Sequence, residues 1–565
     1  MSLSLSLMQL NPLVGDPLKN AEHFLKSIPS TTDLVISSEL FFIGYPCRDL
    51  LSIKELLIQE IEALKLIKDF SLKNPDQHYI IGHTRASTAH GSLLFNCASH
   101  LHQGKIIKTI RKRKLPNYAI FNEERFFIPE LKAQDHLLTI KDQTFFVEIC
   151  EDAWSDISAF DSKDIRPDAK YSQVCPYSQL QNADAYINLS ASPYHLGKTK
   201  KRLGVFKEIA KTNSIPVFFC SQVGAQDNIL FDGSSFVLDS KGKQKLQAPF
   251  SQEAVNTISL LFEKTQKIEV ISDWQELESI LSLAIKDYCS KTKHDKLMLG
   301  LSGGIDSALC AYLACLALPQ NNLKALYLPS QFSSQLSKQL SEELAKNLGF
   351  ELITHPIESL YKSFLELFPK THKHSPLSLE NLQSRIRGTL LMKYSNEENR
   401  LLIATGNKSE LAMGYATLYG DMNGAFSPIG DLYKNEVYGL CHYLNYKYGN
   451  KIPSDLLQRA PSAELAADQV DQDSLPHYDI LDTILKYYIE KQGSFNDKHI
   501  IAFNDLLKKS NSPIDLNKVL QLFSRSEFKR FQASVIFKVQ ERSFGSGWDM
   551  PILKKLPLKE FPDEP

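Results

Sequence analysis

The sequence predicts an α/β protein made of two successive layered units. Three observations lead there: strand-like and helix-like runs alternate over roughly the first 260 residues, the rhythm breaks at 263–275, and a new strand, turn and helix pattern starts at 297. A chain of 565 residues has room for roughly two to four domains, each with its own core. It carries 64 Lys plus Arg against 65 Asp plus Glu, a formal net charge of −1, with 43% apolar and 23% charged residues. That balance gives no electrostatic reason to expect nucleic acid or an anionic membrane as partner.

Leu3, Leu5 and Leu7 alternate with Ser2, Ser4 and Ser6, the period of a half-buried strand, and NPLVGD follows as a turn. Further extended runs are DLVIS at 33–37, HYIIG at 78–82, TFFVEIC at 144–150, AYINLS at 185–190 and PVFFC at 216–220, with helical stretches such as IKELLIQEIEALKLIKDF between them. The segment 263–275 reads as a linker, after which Leu277, Ile280, Leu281, Ala284 and Tyr288 recur on one helical face. LMLGL then reads as a buried strand, SGG as a tight turn and DSALCAYLACLAL as a helix, with LKALYL and LLIAT as later parallel strands. Nine cysteines from Cys47 to Cys441, odd in number and without CxxC pairs, read as free thiols of a reducing compartment. MSLSLSLMQL lacks a positive n-region, and no apolar run approaches the roughly 18 residues of a membrane span, so the expected location is cytoplasmic.

The stretch Gly300, Leu301, Ser302, Gly303, Gly304, Ile305, Asp306 and Ser307 lies between strand and helix, where backbone N–H groups and the helix dipole can hold phosphate oxygens. An aspartate among phosphates makes sense where Mg²⁺ offsets the repulsion; a glycine turn with an Asp or Ser cap is the bland alternative. No GxGxxG follows a strand, and Gly197-Lys198-Thr199 lacks the first glycine of a Walker loop because Ser192 stands there. SGGIDS resembles the pyrophosphate loop of the ATP pyrophosphatases, whose members adenylate a carboxylate or similar oxygen. PSQFSS at 329–334, NLQSRIRGTLLMKYSN at 381–396, the long run at 404–438, PSAELAADQVDQDSLPHYDILD at 461–482 and KRFQ at 529–532 together resemble the NAD synthetase family. That resemblance implies ATP and deamido-NAD as substrates, Thr405 as an ATP contact, Asp306 and Glu410 as Mg²⁺ ligands, and Asn381, Glu410 and Lys529 as deamido-NAD contacts. Arg385, Arg387, Asp421 and Lys434 lie in the matched stretches, and each is open to reading as a ligand contact or a surface ion pair.

VEICEDAW puts Cys150 at the end of an apolar strand, where it is either an inert core thiol or a rigidly held nucleophile. Glu39 in ISSELFFIGYPCRDLL and the lysines of RKRKLPNYAIFNEERFF complete a Glu, Lys, Cys order that resembles the nitrilase (carbon-nitrogen hydrolase) superfamily. Lys112 and Lys114 both stand nearby; the family spacing Lys-x-x-Leu-Pro-Asn-Tyr selects Lys112. The resemblance implies an αββα sandwich with catalytic Glu39, Lys112 and Cys150, and glutamine contacts at Tyr118, Ser192 and Lys198. Glu123 is open to reading as a supporting acid or an exposed salt bridge. The expected organisation is an amidase at 1–262, a linker and leading helix at 263–289, and a parallel-sheet, Rossmann-like synthetase unit at 290–565. The resemblance also implies a homo-oligomer.

Overall fold

The structure is a computed structural model that describes residues 3–554 apart from 88–92, 133, 155–175, 263–265, 267, 467–468, 470, 474 and 491–515. Parts of the linker and of the 461–482 stretch therefore lie outside the described residues. The chain divides into two compact units, Met1–Glu276 and Leu277–Pro565.

The first unit runs β1 (Ser4–Gln9), α1 (Pro17–Ser27), β2 (Leu34–Ile36), α2 (Lys54–Lys73), β3 (His78–Ala86), β4 (Leu94–His102), β5 (Lys105–Arg111), β6 (Leu137–Ile140), β7 (Gln143–Ile149), β8 (Ala185–Ser190), α3 (Lys198–Asn213), β9 (Val217–Ser221), β10 (Val223–Gln226), β11 (Ile229–Asp232), β12 (Phe236–Leu238), β13 (Gln244–Gln247) and β14 (Ala254–Ser259). Two six-stranded sheets form, in the orders β14-β1-β2-β3-β4-β5 and β13-β12-β9-β8-β7-β6. Leu5, Leu7, Ile36 and Ile80 of one sheet meet Val147, Ile187, Leu189 and Phe218 of the other in a shared core. The outer face of the first sheet is covered by α1 and α2 through Phe24, Ala63 and Ile67; α3 covers the second through Val205, Phe206 and Ile209. The result is the four-layer αββα sandwich. Strands such as AYINLS are buried along their whole length because both faces are covered, and each large apolar side chain so buried contributes about 1.5–3 kcal/mol. The β4–β5 hairpin turns at Gln103 and Gly104, both with positive φ, and brings Lys112 to the end of the sheet.

Glu60 on α2 is buried and accepts hydrogen bonds from the Thr84 N–H at 3.0 Å and from the Thr84 hydroxyl. Burial pushes its carboxyl up from 4.5 to about 7 against the opposing pull of those two bonds. Between those pH values the folded chain keeps a proton that the unfolded chain has released, so stability falls as pH rises through the window. The full cost, roughly 3 kcal/mol, is then present above the upper value. Glu60→Gln, whose amide can still accept from the Thr84 N–H and can donate to its hydroxyl, is expected to raise the melting temperature of the first unit by several degrees at pH 8 and hardly at all at pH 4.5. A pH-independent difference in thermal melts would contradict this account.

The second unit contains α4 (Asp273–Lys291, shared across the boundary), β15 (Leu297–Gly300), α5 (Ile305–Ala317), β16 (Leu323–Tyr327), α6 (Gln335–Leu348), β17 (Glu351–Thr354), α7 (Glu358–Glu366), α8 (Pro376–Glu398), β18 (Leu401–Ile403), α9 (Lys408–Met413), β19 (Phe426–Ser427), α10 (Lys434–Tyr448), α11 (Ser454–Gln458), α12 (Tyr478–Glu490) and β20 (Val535–Ile536). Its sheet is parallel throughout, in the order β17-β16-β15-β18-β19-β20. Met298, Leu326 and Leu402 face α7 and α8, while Leu297 and Leu299, pointing the other way, are also fully buried. In such doubly wound sheets the strand order reverses on either side of the first strand, and ligands bind beyond the carboxyl ends of the strands at that crevice. Here the crevice lies between β15 and β16 on one side and β18 on the other. No helix among the described residues is long and apolar enough to cross a membrane.

Candidate active sites

In the first unit, β7 stops at Ile149, one residue before the sequence pattern would end it, and Cys150 opens a short turn with φ of +43°. A non-glycine residue in that region is strained, and here the Asp152 carboxylate holds the turn. Its Oδ1 accepts the N–H groups of Arg113 at 3.0 Å and Lys114 at 2.8 Å, and its Oδ2 accepts that of Ile149 at 3.4 Å. One side chain thus ties the cysteine turn to the chain that has just left β5.

Lys112 sits on that chain, fully buried, with Nζ 2.7 Å from Glu39 Oε1 and 2.9 and 2.8 Å from the two oxygens of Glu123. The Lys114 ammonium instead donates to the Asp152 carbonyl at 3.2 Å, so geometry separates the two lysines that spacing along the chain left side by side. Glu39 also accepts from Asn96 Nδ2 at 2.8 Å and from the Ala191 N–H at 2.9 Å, and Glu123 from the Tyr45 hydroxyl at 3.0 Å. Glu123 is buried, so its reading as an exposed salt bridge is corrected. Burial works against the Lys112 ammonium, but the Glu123 and Glu39 carboxylates outweigh it and hold the lysine charged. Removing one partner from such a buried cluster costs about 3–5 kcal/mol because the remaining charges are left uncompensated.

Burial pushes the Cys150 thiol well up, and Glu39 adds to this while Lys112 opposes it; the Ser190 hydroxyl also bonds the sulfur. The resting sulfur is therefore a thiol, and any attack by it needs a base to take its proton as it reacts. Beside it the Tyr118 hydroxyl donates to Glu151 at 3.0 Å, and the Lys198 ammonium lies 3.9 Å from the Trp154 ring centre. Burial lowers the lysine to about 8, with Glu151 opposing. Ser192 is buried one residue beyond Ala191, whose N–H holds Glu39. Asn96, Glu151, Asp152 and Ser190 escape the sequence reading. Glu151 and Asp152 are at least flagged by their place in CEDAW, whereas Asn96 and Ser190 sit in strands with no local signal.

In the second unit a cleft opens at the end of β15, lined by Gly300 to Ser307, Thr405, Glu410, Arg387, Asp421 and Lys434 among others. Gly303 has φ of +76° and its backbone presses on α6: a Cβ there would stand 2.6 Å from the Ser337 carbonyl oxygen. Gly304 begins α5 as its N-cap, and the Gly304 N–H donates to Ser302 Oγ at 3.2 Å. Asp306 accepts from Asn407 Nδ2 at 2.8 Å and from Lys434 Nζ at 2.5 Å, and the same ammonium lies 3.2 Å from Glu410 Oε1. Glu410 is placed by a capping box with Asn407 at the start of α9. Burial and then the Asp306 charge push the Glu410 carboxyl up; Lys434 is held high because Asp306 and Glu410 outweigh its burial. Lys434 is 2% exposed, so it is no surface ion pair.

The 414–421 loop that forms one wall is braced from both sides. Lys529 Nζ donates to the carbonyls of Gly414 at 2.8 Å and Ala416 at 2.7 Å, and Thr417 Oγ1 donates to Asn381 Oδ1 at 2.8 Å. Asp421 accepts the Thr417 N–H at 2.7 Å, and burial pushes its carboxyl up to about 6. Arg387 Nε donates to the Leu328 carbonyl at 2.8 Å and Arg385 Nε to that of Leu418 at 3.2 Å. Of the predicted residues, the phosphate turn, Thr405 and Glu410 line the cleft, whereas Asn381 and Lys529 stand behind the loop.

Residues 277–533 match the NAD synthase family model. Glutamine-dependent NAD(+) synthetases of Synechocystis and Aquifex aeolicus are 38% and 33% identical to the chain, covering 97% and 98% of it and 98% and 99% of their own lengths. The solved glutamine-dependent NAD+ synthetase from Acinetobacter baumannii, in complex with adenosine diphosphate, superposes with a TM-score of 0.74 at 31% identity over 98% of each chain. A second solved structure, from Cytophaga hutchinsonii, shares the fold with a TM-score of 0.78 at 19% identity. With end-to-end similarity of this degree, the chain belongs to the glutamine-dependent NAD(+) synthetase family.

Proposed function

We propose that the chain converts deamido-NAD, ATP and glutamine into NAD, AMP, pyrophosphate and glutamate, the final step of NAD biosynthesis. The observation that carries the amidase half is the buried cluster in which Lys112 binds Glu39 at 2.7 Å beside the strained Cys150 turn. Glu39 takes the Cys150 proton as the sulfur attacks the glutamine carboxamide carbon, and the carbonyl π electrons move onto oxygen, where the Lys112 ammonium stabilises them. The C–N bond then breaks, the proton on Glu39 leaves with ammonia, and a thioester remains. Glu39 next takes a proton from water, whose oxygen attacks the thioester, and the returned proton restores the thiol as glutamate departs. Tyr118, Ser192 and Lys198 hold the glutamine, with Glu151 and Lys198 matching the two charges of its amino-acid end.

In the second unit a nicotinate carboxylate oxygen attacks the α-phosphorus of ATP, pyrophosphate leaves, and ammonia then displaces AMP from the acyl carbon. The turn Gly300 to Ser307 holds the phosphates, Thr405 contacts ATP, and Asn381, Glu410 and Lys529 serve the deamido-NAD side, directly or by shaping the 414–421 wall. Asp306 and Glu410 suit Mg²⁺: two hard oxygen donors converge at the mouth of a phosphate-binding turn, where Mg²⁺ commonly uses one or two carboxylates with substrate phosphates. A cation bound there would offset phosphate charge. The functional division follows as amidase 1–262, linker and leading helix 263–289, and synthetase 290–565.

The test is to supply purified protein with deamido-NAD and ATP and either glutamine or ammonium, and to measure NAD, AMP and pyrophosphate. All three are expected in equal amounts with either nitrogen source. NAD from neither source would overturn the substrate assignment.

A further inference from the structure

We propose that Asn96 is a positioning residue that decides which oxygen of Glu39 acts as the base; the inference rests on the amidase reading above. Asn96 lies on β4, 1% exposed, and binds both charged partners of the thiol at once. Its side-chain Nδ2 donates to Glu39 Oε1 at 2.8 Å, and its backbone carbonyl accepts the Lys112 N–H at 2.8 Å. The Asn96 Oδ1 is buried without a hydrogen-bond partner among the described residues. Turning the amide over would place that oxygen against a carboxylate, so the donor is fixed toward Glu39 and the orphaned acceptor is the cost.

The consequence is an asymmetric carboxylate. Oε1 takes Lys112 Nζ at 2.7 Å as well as Asn96, whereas among the described residues Oε2 takes only the Ala191 N–H at 2.9 Å. The less occupied Oε2 is the oxygen left to receive the thiol proton, and the crowded Oε1 is locked as an acceptor. Glu123, Lys112, Tyr45, Cys47 and Cys150 are the described titratable groups that interact with this carboxylate. Among the described residues, no hydrogen bond joins Asn96 to Tyr118, Ser192 or Lys198. Its loss should therefore lower turnover without weakening glutamine binding.

Asn96→Ala and Asn96→Asp are compared with wild type and Cys150→Ala for glutamine-driven NAD formation, each normalised to its own ammonium-driven rate. Asn96→Ala is expected to lose about 10- to 100-fold in kcat for glutamine with KM within about twofold, because the donor that orients the base has gone. Asn96→Asp keeps the shape but can donate only while protonated, so its deficit should be smallest at low pH and grow as pH rises. A wild-type kcat in Asn96→Ala, a change in KM alone, or equal deficits at every pH in both variants would overturn the positioning role. Glutamine-driven synthesis surviving in Cys150→Ala would instead overturn the amidase reading.

Discussion

Cys150→Ala is expected to lower glutamine-driven NAD formation by roughly 10⁴-fold while ammonium-driven formation stays within about twofold of wild type. The loss is large because removing the sulfur removes the atom that forms the thioester, and the neighbouring Ser190 hydroxyl donates to the amide oxygen of Asn188 at 2.7 Å rather than to a base. The fold should hardly notice. Alanine at φ of +43° is no more strained than cysteine, and a single sulfur at the edge of the inter-sheet core is a small volume to lose. The Glu39, Lys112 and Glu123 cluster keeps all of its own partners in the variant. Parallel assays with the two nitrogen sources check this, and glutamine-driven synthesis within tenfold of wild type would contradict it.

Gly303→Ala is expected to fail with both nitrogen sources, with kcat/KM for ATP down by about 100-fold, since misplacing a positioning loop by about 1 Å has effects of that size. Two physical causes combine. The backbone stands at φ of +76°, where a side chain is disfavoured, and the new Cβ would lie 2.6 Å from the Ser337 carbonyl oxygen and 2.7 Å from its Cα. Those atoms are backbone of α6 and cannot swing aside, so the phosphate turn must move. Gly304→Ala is the internal control: its nearest neighbour is the Ser302 hydroxyl at 3.2 Å, which can rotate, and φ there is −102°. It should lose far less. Equal losses in the two variants, measured by ATP-dependent NAD formation from ammonium, would show that small size at the turn rather than the Ser337 contact is what matters.

How much could be read in advance depended on whether the signal was local. TFFVEI, AYINLS and LMLG read as strands because burial on both faces leaves short, mostly apolar runs, and SGGIDS is a contiguous turn whose chemistry stands in six neighbouring residues. β19 and β20, two residues each, left no trace: Phe426 pairs with Val535 across more than a hundred residues, so only the finished sheet makes them strands. Lys112 and Lys114 could not be separated by period, since residues two apart on extended chain share a face. Their partners separate them. Glu123 and Lys434 stay open to reading as surface ion pairs in sequence because a charge is buried only when the fold sets its counter-charges against it, here Lys112 for Glu123 and Asp306 with Glu410 for Lys434. Asn96 gave no sign because its importance lies wholly in what the fold sets against it.

β14 pairs antiparallel with β1, Ile258 opposite Leu5 and Asn256 opposite Leu7. During synthesis β1 precedes its edge partner, which emerges about 250 residues later, on the order of 10–50 s at typical elongation rates. Through that interval an almost wholly buried strand presents unpaired N–H and C=O groups on one side, an invitation to pairing with other nascent chains. The vulnerable moment of this protein therefore falls before its first half is complete, and slowing translation between β2 and β14 should reduce the soluble yield more than the same pause placed after residue 259.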